Sequence, residues 1–132
     1  MLTFYTAPSC TSCKKAKVWL VKHDIEFYER NIISKPLTEG EIRHILTMSD
    51  EGIEGLISTR NRYVKLLNID FDDLTFSEVV KIISENPQIL RRPILMDDKR
   101  LHIGYNEEEI RIFLPRIFRS IENEEARLKS VL

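Results

Sequence analysis

Near the start of the chain, the spacing of hydrophobic and polar residues changes from that of a strand to that of a helix and back again. The apolar run Leu2–Tyr5 predicts a short strand, and a loop around Pro8 follows it. Helical spacing then predicts a helix over about residues 12–23, with one face made of Ala16, Trp19, Leu20 and His23. Ile25–Arg30 alternates apolar and polar side chains, which is typical of a half-buried strand. Strand, helix and strand together have the length of a βαβ unit.

The pattern changes to short helices after Asn31. Thr38–Glu41 and Thr75–Glu78 both have the form of a capping box, which marks the start of a helix. Apolar residues at helical spacing follow each box, and we expect their buried positions to be Ile42, Ile45, Leu46, Phe76, Val79, Val80 and Ile83.

Between these two helices the sequence is more polar. Ser49–Gly55 is acidic, contains two glycines and predicts a turn. Ile57–Leu67 is basic and predicts a helix, whereas Asn68–Asp73 predicts an acidic loop. Because Pro87 ends the last helix, we interpret residues 36–87 as a helical insertion.

Strand-like sequence returns after the insertion. The apolar run Pro93–Met96 predicts a central strand covered on both faces. Asp97–Lys99 predicts a tight turn and Arg100–Ile103 alternates again, so this segment is a hairpin. Asn106 predicts the start of a helix, with a stripe of Ile110, Phe113, Leu114 and Ile117. From Arg119 onward we expect a frayed or partly helical tail.

Composition sets bounds on this picture. With 132 residues, of which 42% are hydrophobic, the chain can build the core of one domain. Twenty basic and 21 acidic residues give a net charge of −1, so autonomous DNA binding is not expected. The apolar runs are too short to span a bilayer, and the N-terminus lacks the features of a secretory signal, so we expect a cytoplasmic protein.

Cys10 and Cys13 are the two cysteines of the chain. A secreted disulfide scaffold would contain more of them, and the scattered histidines supply no second ligand pair for structural zinc. In a cytosolic βαβ unit this spacing indicates a redox motif. The alternative is that both cysteines are small buried hydrophobic residues.

The position of the cysteines favours redox chemistry. Cys10 precedes the predicted helix, whose free N–H groups favour a thiolate, and nearby lysines, among them Lys14 and Lys15, add positive charge. Cys13, one turn into the helix, is placed to resolve a mixed disulfide or sulfenic acid formed at Cys10.

The order of elements predicts an α/β fold. A βαβ unit followed by a ββα unit, with redox cysteines in the first loop, describes a thioredoxin-like mixed sheet. Its sequence is discontinuous, 1–35 and 88–118, around the insertion 36–87, and 119–132 is the tail. In such folds a cis-proline that opens the hairpin faces the cysteines, so we hypothesise that the bond between Arg92 and Pro93 is cis.

Several stretches together are similar to the Spx family of regulators, and the similarity extends from Met1 to about Arg119. They are Tyr5–Ala16, Glu29–Ile32, Ile57–Arg60, Leu90–Ile94 and Gly104–Arg111. The resemblance implies a transcription regulator from the arsenate-reductase-like branch of the thioredoxin fold. We expect it to act without turnover and to need neither a metal nor a cofactor.

The resemblance also implies partners. Spx proteins bind the C-terminal domain of the RNA polymerase α subunit and sense thiol stress through a disulfide, here Cys10 with Cys13. They activate thiol-homeostasis genes and block some activators, and they reach promoter DNA only through the polymerase. An ATP-dependent protease degrades them through the C-terminus, here Val131–Leu132. We expect a monomer without a membrane contact.

Gly52 matches the glycine with which the family contacts the polymerase. A glycine there lets two backbones approach closely. The alternative, which the sequence alone favours, is a glycine required only by the turn. Thr47 stands where some members have a basic contact residue.

An enzyme is the alternative, either a thiol–disulfide oxidoreductase or an arsenate reductase. Arsenate reductases of this fold hold the oxyanion with a cysteine and three arginines, and Arg60 and Arg92 resemble two of these. The third is expected shortly after Leu101, where the chain has His102. A missing cation argues against efficient reduction of a doubly charged oxyanion.

Basic residues also suggest how oxidation of the cysteines could act as a regulatory switch. Arg92 is expected near the cysteines, where it would favour the thiolate and change partners on oxidation, unless it only satisfies a strand end. Arg60, Arg62 and Lys65 are expected close together on one helix. They could contact promoter DNA once the polymerase holds the protein, or they could form a solvated face beside the acidic loop.

Overall fold

The computed structural model describes residues 1–58, 60–115, 125, 127 and 128. Within these ranges a mixed sheet of four strands has the order β2-β1-β3-β4. The strands are β1 (Leu2–Thr6), β2 (Phe27–Asn31), β3 (Ile94–Met96) and β4 (Leu101–Ile103). β1 runs parallel to β2 and antiparallel to β3, which pairs antiparallel with β4. The predicted α/β fold with a mixed sheet is confirmed.

The helices of the described chain are mostly short. They are α1 (Thr11–Lys22), α2 (Glu39–Met48), α3 (Gly52–Leu56), α4 (Arg62–Leu67) and α5 (Phe76–Glu85). Three 3-10 segments cover Phe71–Asp73, Pro87–Ile89 and Glu109–Phe113. None of the helices in this part of the chain is both long and apolar enough to cross a membrane.

Both predicted capping boxes are present. At α2 the backbone N–H of Glu41 donates to the Thr38 hydroxyl at 3.1 Å, and the Thr38 N–H donates to the Glu41 carboxylate at 2.9 Å. At α5 the same two bonds join Thr75 and Glu78, each at 3.2 Å. Local sequence alone therefore sets where these two helices begin.

The sheet separates two hydrophobic clusters. Phe4 and Leu95, a cross-strand pair, face α1, whereas the neighbouring pair Tyr5 and Ile94 faces the segment 36–87. This split follows from the alternation of side chains along a strand. The segment thus covers one face of the sheet, and the division of the chain into 1–35 with 88–118, 36–87 and 119–132 stays a prediction.

Two predictions between α2 and α5 are wrong. The expected turn Ser49–Gly55 contains α3. The expected helix over 57–67 forms only from Arg62, because Ile57 is extended and bridges to Leu90, and Asn61 caps α4 by accepting the Tyr63 N–H at 2.7 Å. Arg60 therefore lies before the helix rather than on it.

Phe76 and the last predicted helix also differ from expectation. Phe76 is 47% exposed at the start of α5, where the guanidinium of Arg43 lies 5.4 Å from its ring centre.

Asn106 caps the next turn as predicted, but only the 3-10 segment Glu109–Phe113 forms within the described residues. Leu114 is extended, because a proline disfavours helical geometry in the residue before it. Ile117 and most of the tail lie outside the described residues.

Candidate redox site

The two cysteines meet at the N-terminus of α1. Cys10 and Cys13 form a disulfide, with their Cα atoms 5.2 Å apart. Cys10 is also the N-cap, because its Sγ accepts the backbone N–H of Cys13 at 3.2 Å. A sulfur thus occupies the position in which serine, threonine, aspartate or asparagine is usual. Cys10 is half-buried and Cys13 is buried, so Cys10 is the more accessible sulfur.

The surroundings of Cys10 favour its anionic form in the reduced state. The first turn of α1 has no acidic residue, and Lys14 and Lys15 are exposed beside it. The unpaired N–H groups of a helix N-terminus attract negative charge, and neighbouring lysines act in the same direction.

A cleft opens beside Cys10 at the end of the hairpin. Its lining consists of Cys10, Ser58, Asn61, Leu90, Arg91, Arg92, Ile103 and Gly104. The Arg92–Pro93 bond is cis, as hypothesised, and the Pro93 carbonyl accepts the Gly104 N–H at 2.7 Å. The fold thus brings Arg92 to the cysteine cleft.

The other two residues of the expected oxyanion clamp do not line this cleft. Arg60 is exposed and is not among the described residues that line the cleft. His102 lines a different cavity, with its Nδ1 3.7 Å from a carboxylate oxygen of Glu109. Burial lowers the pKa of His102, and the charge of Glu109 offsets only part of this effect. His102 is therefore neutral at neutral pH and does not replace the missing arginine.

Gly52 begins α3 with a φ of +61°, in the left-handed region that favours glycine. A Cβ atom there would meet nothing within 4 Å, so the space in front of this residue is open. The Ser49 hydroxyl donates to the Gly52 carbonyl at 3.3 Å, which holds the connection to α2. Thr47, near the end of α2, is exposed, and its hydroxyl donates to the His44 carbonyl. The positive φ explains the glycine whether or not a partner contacts it.

Arg30 connects the sheet to the segment 36–87, and the sequence pattern did not indicate this role. Its guanidinium donates to the carbonyls of Lys35 at 3.1 Å and Pro36 at 2.6 Å, and it pairs with the carboxylate of Glu41. Burial raises the pKa of Glu41, but hydrogen bonds from Arg30 and Thr38 outweigh it and hold this pKa below its ordinary value. The sequence indicates this role of Arg30 only by its place at the end of a predicted half-buried strand, shortly before Pro36.

Asn61 is a second residue that the sequence pattern did not reveal. Besides capping α4, its side-chain amide donates to the Gln88 carbonyl at 2.9 Å. This bond spans 27 residues and closes one side of the cysteine cleft.

Comparison with known proteins agrees with this architecture. The sequence pattern of the ArsC family matches residues 5–113. Over the full length of both chains, the sequence is 64% identical to a protein of Lactococcus lactis subsp. lactis named global transcriptional regulator Spx 2. It is 51% identical, again over both full lengths, to the global transcriptional regulator Spx of Enterococcus faecalis.

Solved structures show the same fold. A possible arsenate reductase from Streptococcus mutans superposes with a TM-score of 0.72 at 25% identity, over 83% of this chain and 97% of that one. The arsenate reductase of Vibrio cholerae superposes with a TM-score of 0.75 at 16% identity, over 86% of this chain and 97% of that one. With its paired cysteines and its full-length identity to these regulators, the chain belongs to the Spx transcription regulators of the ArsC family.

Proposed function

We propose that this chain is a redox-sensing regulator that binds the C-terminal domain of the RNA polymerase α subunit. It activates thiol-homeostasis genes under thiol stress and interferes with some activators. One observation carries the proposal: a disulfide pair caps α1 in a chain that is 64% identical, end to end, to a protein named as a global transcriptional regulator. The proposal includes a monomeric chain that acts in the cytoplasm.

The sensing step is closure of the disulfide. The two thiols lose two electrons and two protons to an oxidant such as a small disulfide, which is reduced to two thiols. The greater accessibility of Cys10 and the burial of Cys13 support attack of the Cys10 thiolate on the small disulfide first, which releases one small thiol. Cys13 then attacks the Cys10 sulfur of the mixed disulfide and releases the second small thiol. A reducing thiol reverses the reaction by the same route.

Arg92 is the residue that transmits this change. In the reduced state its guanidinium stabilises the Cys10 thiolate across the shared cleft, and closure of the disulfide removes that negative charge. Arg92 forms no ion pair with another described residue, so it is then available to a new partner. Re-aiming of Arg92 and of the start of α1 alters the surface offered to the polymerase or promoter.

Gly52 is the proposed polymerase contact. Open space in front of its backbone and a φ of +61° suit the close approach of a partner. Arg60, exposed before α4, is a possible contact to promoter DNA, which the chain reaches through the polymerase. Removal by an ATP-dependent protease through Val131–Leu132 belongs to the same proposal, and these residues lie outside the described ranges.

A second candidate function is arsenate reduction or thiol–disulfide exchange. The presence of Arg92 in the Cys10 cleft favours it, and so do the fold relatives named arsenate reductases. The exposed Arg60 and the neutral His102, which does not line the cleft, weigh against it, since a doubly charged oxyanion needs its full set of donors in the transition state.

One experiment separates the two functions. The purified α C-terminal domain is titrated into the oxidised, reduced and Cys10→Ala forms by calorimetry. The same preparations are assayed for reduction of arsenate and of a model disulfide with thioredoxin and glutaredoxin systems. Binding without turnover is expected; turnover without binding would assign the chain to the enzymes.

A further inference from the structure

The outer side of α1 carries a concentration of positive charge that the redox site does not use. This helix contains four lysines and no acidic residue. Lys14, Lys15 and Lys22 are exposed around Val18, which is itself 67% exposed. These four residues, called the lysine face, surround a shallow depression to which Trp19 and Tyr105 also contribute.

The charges of the lysine face are not neutralised within the described chain. Lys17, on the flank of α1, pairs with Glu29 at 3.0 Å, whereas Lys14, Lys15 and Lys22 form no ion pair with a described residue. Glu107 is the acid that lines the same depression, and it forms no ion pair with them. Lys15 and Lys22 lie two turns apart, about 10 Å along the helix axis.

The lysine face lies on the side of the sheet opposite the proposed polymerase contact. α1 packs on the face formed by Phe4 and Leu95, whereas α2 and the other insertion helices pack on the face formed by Tyr5 and Ile94. A partner that holds Gly52 therefore leaves the outer side of α1 open to a second partner.

We propose that the lysine face binds the phosphate backbone of promoter DNA while the polymerase holds the chain through the insertion. The proposal rests on the proposed function for this tethering. Duplex DNA presents a phosphate about every 3.4 Å along each strand, and lysines neutralise phosphates as point charges without strict geometry. A chain with a net charge of −1 binds DNA weakly by itself, but tethering raises the effective concentration enough for a local cationic row to act.

The basic residues of the insertion are a poorer match for this role. The guanidinium of Arg62 lies 5.3 Å from the ring centre of Tyr63, and Lys65 shares a groove with Asp70 and Asp72. Several acids thus share the groove of Lys65, whereas three lysines of α1 share their depression with one described acid, Glu107. Binding through the lysine face is independent of base sequence, because it involves phosphates only.

The test measures the affinity of a fluorescent promoter duplex for the wild type, for a K14A/K15A/K22A variant and for a matched R62A/K65A/K81A variant. The matched variant removes three exposed cations of the insertion and keeps Arg60, the proposed promoter contact. Each is titrated over a range of salt concentrations in complex with RNA polymerase. Loss of three phosphate contacts should reduce the slope of log K against log salt by about 2.7 in the α1 variant. The matched variant should change the slope less, and K14R/K15R/K22R should restore it.

A second arm does not depend on the polymerase. At low salt the free chain is titrated with the same duplex, and the α1 variant should lose at least about tenfold in affinity. Affinity for the α C-terminal domain is measured separately, so failure of the proposed function is visible by itself. Wild-type slope and affinity in the α1 variant would overturn the proposal, as would binding of a polyglutamate peptide by the lysine face with no binding of the duplex.

Discussion

Single residues hold the insertion to the sheet and shape its exposed surface. Arg30, whose side chain is 11% exposed, satisfies two carbonyls and a carboxylate at the point where the chain leaves β2. Gly52 adopts a backbone geometry that most residues avoid, with no side chain packed over it. Arg30 affects the stability of the fold and Gly52 affects the binding of a partner, so different measurements test them.

Replacing Arg30 by leucine should lower the free energy of unfolding by about 2 kcal/mol at neutral pH, because two carbonyls and the Glu41 carboxylate lose a charged donor. The lowered pKa of Glu41 adds a pH dependence. Its stabilising effect is complete above the ordinary carboxyl value of 4.5 and disappears as the pH falls through the lower folded value. Urea unfolding should therefore show that wild type and Arg30→Leu differ less in their free energy of unfolding at acid pH than at neutral pH. Arg43→Leu, at an exposed position of α2, is the control. A stability difference between wild type and Arg30→Leu that does not change with pH would contradict this account.

At Gly52 the backbone strain and the binding role are separable. Gly52→Ala should destabilise the fold by about 1 kcal/mol, and Gly52→Asn by less, because asparagine tolerates a positive φ. Gly52→Arg should be as stable as Gly52→Ala but bind the α C-terminal domain at least about tenfold more weakly, since its bulk fills the open approach. Urea unfolding and calorimetric titration measure the two effects. Unchanged affinity in Gly52→Arg would remove this residue from the interface.

At the scale of elements, the helix N-termini decide most of the local structure. α2 and α5 begin at capping boxes, whereas α1 begins at a sulfur that also belongs to the disulfide. The redox state of Cys10 and the stability of the first turn of α1 are therefore linked through one atom.

Two substitutions separate the cap from the disulfide. Cys10→Ser and Cys10→Ala both abolish the bridge, but serine keeps a side-chain acceptor for the Cys13 N–H. Cys10→Ala should therefore be less stable than Cys10→Ser by about 1 kcal/mol. Thermal unfolding of both variants under reducing conditions gives the difference. Equal stability would mean that the sulfur does not act as a cap.

The capping box of α5 provides a parallel prediction. Thr75→Ala should cost about 1 kcal/mol, and Thr75→Ser should cost much less, because the serine hydroxyl still accepts the Glu78 N–H. Chemical denaturation of the two variants measures this. A loss of the same size in Thr75→Ser would assign the effect to the methyl group instead of the cap.

At the scale of the whole molecule, features set by local pattern could be predicted and features set by distant contacts could not. The βαβ unit, the hairpin and both capping boxes depend on neighbouring residues. α4 starts late because Ile57 pairs with Leu90 and Asn61 bonds to Gln88, which no local pattern reveals. The same limit applies to the site. The fold places Arg92 in the Cys10 cleft as expected. His102 precedes Ile103, which lines that cleft, but His102 itself lines another cavity.

The most direct test of the account is run-off transcription from a thiol-homeostasis promoter with purified RNA polymerase. The oxidised wild type should activate transcription, and dithiothreitol should reverse the effect. Cys10→Ser and Cys13→Ala should fail to activate in oxidant while remaining folded. Activation of equal strength by the reduced protein or by either cysteine variant would contradict the claim that closure of the Cys10–Cys13 bridge sets the regulatory state.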